Sequence, residues 1–195
     1  MIQVRLAAPR RAARVTGLIL GAALLRALLL PAGDLLSTMV FAACLLGISW
    51  FERDAPTLPS PPSGGGKGPA VTGILAGLAV GAVLLAPVVS GPFSARPVGA
   101  FLPWAAIAAL VATLEETSIR GVLYRRLAGE AGTVAAIVVG AAVFALIHLP
   151  RYGVGAMPLD AAVGLALGGL RALTGRVLPC AVAHTMADWG AWFWA

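Results

Sequence analysis

The sequence predicts an all-α fold, a polytopic bundle of about seven transmembrane helices. Three observations lead there. Of 195 residues, 59% are hydrophobic and only 11% are charged, whereas a soluble domain carries roughly 25% charged residues. The mean hydropathy is +0.92. The apolar residues also come in runs close to the roughly 20 residues that a membrane helix needs, separated by Gly, Pro and charged residues. So few charges cannot cover a water-facing surface, which excludes an ordinary soluble globule, and so apolar a chain is not disordered. Two cysteines, Cys44 and Cys180, both lie in apolar runs. They exclude a disulfide scaffold and read as small packing groups.

In chain order, a basic N-terminus over residues 1–14 precedes a first run from about Val15 to Leu30, closed by Pro31-Ala32-Gly33-Asp34. Its basic front resembles a secretory signal peptide, but further spans follow, so a retained signal-anchor is expected. The second run covers about Leu35 to Phe51, completing an N-terminal pair over 15–51. Residues 52–69 hold Pro59, Pro61, Pro62 and Gly64-Gly65-Gly66, a composition that makes a loop. Five helices are then expected over 70–195. The third runs from Ala70 to Val89. The fourth starts near Pro103, a good first-turn residue, and ends near Ala128. Gly129-Glu130-Ala131-Gly132 reads as a tight connection to the fifth, from Thr133 to Leu149, ended by Pro150. The sixth covers Leu159 to Leu173. The seventh runs from Val177 onward, with Trp189, Trp192 and Trp194 at a membrane interface.

The net charge of +6 would suit nucleic acid, but its placement does not. Arg5, Arg10, Arg11 and Arg14 precede the first run, and most others fall in alternate loops: Arg53, Lys67, Arg125, Arg126 and Arg176 on one side, Arg96 and Arg151 on the other. That asymmetry predicts a multi-pass plasma-membrane protein with a cytoplasmic N-terminus, whose basic residues meet lipid headgroups. No nucleic-acid partner is expected.

Ionisable groups inside membrane helices cost about 2.5–3.5 kcal/mol each on insertion scales. Those present are Glu115, Glu116 and Arg120 on the fourth helix, His148 on the fifth, and His184 and Asp188 on the seventh. The histidines are the chain's only two. Glu116 and Arg120 are four apart with the acid first, the favourable order for a helical ion pair. His184 and Asp188 share a face by the same spacing, and Phe144 lies one turn before His148. Glu115 points about 100° away from Glu116, so Arg120 serves only one of them well and Glu115 is left needing another partner. Measured from the 129–132 connection, Glu115 and His148 lie at similar depth, roughly 21 and 24 Å. Counted from Arg176, His184 and Asp188 are shallower by about 5–10 Å. Arg26 and Arg171, near helix ends, read as snorkelling side chains.

Glu115-Glu116-Thr117-Ser118-Ile119-Arg120, Phe144-Ala145-Leu146-Ile147-His148 and His184-Thr185-Met186-Ala187-Asp188 resemble the EExxxR, FxxxH and HxxxN/D signatures of the CAAX-protease and bacteriocin-processing (CPBP, Abi) intramembrane endopeptidases. The resemblance spans roughly Pro103 to Trp189 and implies a CAAX-protease-like core over 103–195. It implies a glutamic peptidase in which Glu115, assisted by His148, activates water. His184 and Asp188 would then face the oxyanion, with Glu116, Arg120 and Phe144 in support. Asp188 stands where many members have Asn. An ionised Asp cannot donate to an oxyanion, so either Asp188 is protonated in its apolar setting or it orients His184 and favours its charged form, the second being the expected role. Ile119, where the family often has Phe, reads as a packing substitution.

No cofactor is expected. The alternative is zinc held by His148, His184 and Glu115 or Asp188. Outside enzymes, the same groups suit an immunity or scaffold protein, or a proton relay. The expected substrate is a membrane-associated protein or peptide: a prenylated CAAX protein, a peptide leader or the C-terminal anchor of a surface protein.

Overall fold

A computed structural model describes residues 9–52, 70–89 and 100–194. The 52–69 loop, apart from Glu52, and most of the 1–14 basic segment lie outside them. Among the described residues the chain is wholly helical: α1 (Pro9–Leu29), α2 (Asp34–Glu52), α3 (Ala70–Val89), α4 (Phe101–Glu116), α5 (Tyr124–Ala131), α6 (Thr133–Tyr152), α7 (Met157–Thr174) and α8 (Leu178–Trp194). A π-helical segment, Thr117–Leu123, joins α4 to α5, so that 101–131 is one continuous rod and the rods number seven. Among the described residues five helices are long and apolar enough to cross a membrane, the rod from Phe101 to Ala131 being one of them. Helices satisfy their own backbone, which lipid cannot do, and the outward side chains are apolar: Leu28 is 69% and Phe51 83% exposed.

Several boundaries differ from expectation. α1 starts at Pro9 rather than Val15. α5 runs through Gly129 and Glu130 to Ala131, and the turn into α6 is made by Gly132 alone, at φ 89°, a value that favours glycine. Pro150 lies inside the last turn of α6 instead of ending it.

Small residues set the helix spacing. Gly73, Gly77 and Gly81, one turn apart on α3, face Pro179, Ala183 and Met186 of α8, a small-xxx-small contact. A Cβ on Gly164 of α7 would lie 2.7 Å from Cα of Ala141 on α6. α1 and α2 pair, and α1 lies along α6. Val15, Ile19, Phe41 and Leu45 thereby join Ile119, Leu123, Phe144 and Leu167 in one core. Cys180 is fully buried there and donates to the Leu167 carbonyl at 3.3 Å. Cys44 packs against the same core.

Candidate active site

The π segment carries the first group of functional residues. Thr113 and Thr117 hydroxyls donate to the carbonyls of Ala109 and Thr113 at 2.7 Å each. Such i−4 back-bonding weakens a helix ladder, and the wider turn begins directly after it. From there the chain is held from outside. Ser118 pairs with Ser49 at 3.0 Å and donates to the Leu45 carbonyl, while Arg171 Nε donates to the Arg120 carbonyl at 2.9 Å. Arg171, whose guanidinium also lies 4.9 Å from the Tyr124 ring centroid, therefore does not snorkel: it is spent on the widened turn. π turns inside α-helices are frequent at functional sites.

Glu115, Glu116, Arg120 and His184 are each at most 3% exposed. Arg120 Nη1 donates to Glu116 Oε1 at 2.9 Å, and its Nη2 to the Gly164 carbonyl at 3.1 Å. The guanidinium carbon also lies 4.7 Å from the Phe144 ring centroid. The ion pair anticipated from spacing is thus formed and reaches a third helix. Glu116 Oε1 has a second partner, His184 Nδ1 at 3.1 Å. Asp188 lies 3.7 Å from the opposite ring nitrogen, His184 Nε2. Glu116, rather than Asp188, is the closer holder of this imidazole.

Glu115 faces both histidines. Its Oε2 is 3.9 Å from His148 Nε2 and 3.8 Å from His184 Nε2. His148 Nδ1 donates to the Phe144 carbonyl at 2.8 Å, which leaves Nε2 as the acceptor turned toward Glu115. The His148 ring packs on Phe144 at 4.3 Å and stacks with Tyr152 at 5.8 Å. The 3.8–3.9 Å separations are too long for direct hydrogen bonds and leave room for an atom between them.

The depth offset expected for His184 and Asp188 does not occur. The turn before α8 is not level with the α5–α6 connection: Val177 packs on Gly121, inside the π segment. From that contact Glu115 is six residues back and His184 seven onward, about 9 and 10.5 Å, and the two meet.

Glu115, His148, His184 and Asp188 line a cavity of about 400 Å³, shared with Arg26, Asp34 and Thr38 of the N-terminal pair and Trp104 and Trp192 of α4 and α8. It lies toward the end of the bundle where α1 turns into α2. Asp34 and Arg151 form an ion pair there. Two features were missed from sequence. Arg26 faces the cavity rather than snorkelling. Trp189 and Trp192 also pack inward: Trp189 Nε1 donates to the Ala105 carbonyl at 3.0 Å, and the Trp192 and Trp104 rings lie 4.7 Å apart. Position near a helix end is equally compatible with either fate, so spacing held no signal for them.

Glu115, His148 and His184 also form a set able to take a metal ion, with one ligand atom from each within 4.8 Å of the others. Among known proteins, residues 97–190 match a family described as type II CAAX prenyl endopeptidase Rce1-like. Nothing matches among the curated proteins or the solved structures.

Proposed function

We propose, from the match of residues 97–190 to the Rce1-like family of CAAX-type endopeptidases, that the protein is an intramembrane glutamic endopeptidase acting on a membrane-associated protein or peptide. The observation that carries the mechanism is the convergence of one buried carboxylate and two imidazole nitrogens at 3.8–3.9 Å. A water bridging such a gap is held by all three. Glu115 takes one proton, while the remaining O–H donates a hydrogen bond to His148 Nε2, which fixes the direction of the lone pair. The oxygen attacks the scissile carbonyl carbon. The oxyanion that forms is stabilised by His184, which donates through Nε2 while Nδ1–H is anchored on Glu116. A donor fixed before reaction in a water-poor site is worth most at that step. Glu115 then returns its proton to the leaving nitrogen as the C–N bond breaks.

Asp188, 3.7 Å from His184 Nε2, favours the charged imidazole from the cavity side. Glu116 and Arg120 act by positioning. The basic residues orient the bundle in a plasma membrane with the N-terminus in the cytoplasm, so the cavity opens toward the opposite face.

A second reading is favoured by the same three atoms. His148 and His184 each spend Nδ1 on an oxygen, as metal-bound histidines do, so Glu115, His148 and His184 would hold a zinc ion. It would supply Lewis acidity and a more acidic water. Metal content of the purified protein and cleavage in chelator separate the two. Equimolar zinc with chelator-sensitive cleavage selects the second; metal-free, chelator-resistant cleavage selects the first.

The test of the function is a comparison of membrane-protein fragments in cells carrying the unsubstituted protein or Glu115→Gln. Fragments that vanish in the variant, with the protein still inserted, are the expected result. An identical fragment set would favour a scaffold, and Glu115-dependent proton flux in liposomes would favour a relay.

A further inference from the structure

Two guanidinium groups line the cavity, those of Arg26 and Arg151. Arg151 is engaged by Asp34. Arg26, which α1 contributes from outside residues 97–190, is held loosely. Its Nη2 makes one long hydrogen bond, 3.4 Å to Thr38 Oγ1, and its guanidinium carbon rests 5.0 Å from the Phe41 ring centroid. Its Nε is buried and meets no acceptor. Buried donors are almost always satisfied, and this one belongs to a side chain that lines the cavity, so an acceptor brought by a ligand would complete it. The acids of the same cavity are committed elsewhere: Glu115 and Asp188 face His184 Nε2 at 3.8 and 3.7 Å, and Asp34 faces Arg151. Phe41 is fully buried and gives the guanidinium plane a fixed shelf. A guanidinium is always charged, and its fork of N–H donors fits a carboxylate in two-point contact.

We infer that Arg26 is a specificity-determining residue which takes a carboxylate of the peptide substrate while the scissile amide lies at Glu115. The inference rests on the peptidase reading of this cavity. The carboxylate is either the peptide's C-terminus or an acidic side chain.

Three probes distinguish these sources: acetyl-Ala-Val-Leu-Ala with a free carboxyl end, the same peptide as its amide, and acetyl-Ala-Val-Glu-Ala-amide. Binding is measured to the full-length protein carrying Glu115→Gln, so that each peptide stays intact. At least one acid peptide is expected to bind about tenfold more tightly than the neutral amide. Adding Arg26→Gln is expected to erase that difference and leave the amide's affinity unchanged, which reports an intact cavity. The acid peptide that gains identifies the source.

Equal binding or no binding of the three peptides overturns the inference, as does a preference that survives Arg26→Gln. If Arg26→Gln does not fold, Arg26→Lys keeps the charge and loses the fork. Its acid preference is expected to fall severalfold, and an unchanged preference overturns the inference. Binding in the Glu115→Gln background is independent of turnover. A protein that prefers the acid peptides yet cuts no membrane protein keeps Arg26 as a carboxylate site and defeats the peptidase reading; one that cleaves without the preference keeps that reading and overturns the inference.

Discussion

Arg120 sits where three helices meet, and its two ends do different work: Nη1 holds Glu116 and Nη2 holds a carbonyl of α7. Removing one member of a buried ion pair leaves the other charged and unsolvated, at a cost of about 3–5 kcal/mol. Arg120→Ala is expected to destabilise the protein by that order in a denaturant titration in detergent. Arg120→Lys is expected to recover only part, since a single ammonium cannot span both acceptors as the fork does. The i, i+4 spacing of Glu116 and Arg120, and of Phe144 and His148, was legible because one helix fixes both members. The contact of Glu116 with His184, 68 positions on, was not. It depends on how deep α8 sits, and that depth is set by Val177 resting on Gly121, a packing detail with no periodic signature.

The seven helical rods were legible because a membrane leaves few alternatives to long apolar helices. Their irregularities were not. The π segment is fixed by partners on other elements, Ser49, Leu45 and Arg171, and none of these is a neighbour in sequence. α6 and α7 are as close as they can be at Gly164, where a Cβ would meet the Ala141 backbone at 2.7 Å. Gly164→Leu is expected to force the helices apart, at about 1–3 kcal/mol of overpacking. It also moves the carbonyl that Arg120 holds. Melting temperature and cleavage rate should therefore fall together, and a variant with unchanged melting temperature would show that the contact can relax.

At the scale of the whole molecule, the N-terminal pair is fastened to the family-matched core at both ends. At one end Glu52, 6% exposed, takes Arg14 at 2.5 Å and Arg126 at 3.4 Å. At the other, Asp34 takes Arg151. Glu52→Ala is expected to cost toward the lower end of about 3–5 kcal/mol, because Arg126 keeps the Glu52 carbonyl at 3.2 Å; thermal unfolding in detergent checks this. The proposed orientation places Asp34 at the outer face. With the N-terminus in the cytoplasm, Asp34→Cys is expected to react with a membrane-impermeant maleimide added outside intact cells, and labelling only after lysis would reverse the topology. That α1 and α2 would complete the cavity was not legible, since Arg26 and Thr38 carry no motif and reach the site through the packing of α1 on α6 and of α2 on α4. The claim on which the rest depends is that Glu115 is the base. The most direct measurement is the cleavage rate of the purified protein and its Glu115→Gln variant on one substrate, at matched melting temperature. Loss of about 10²–10⁴-fold is the predicted result, and a variant that cleaves at the unsubstituted rate contradicts it.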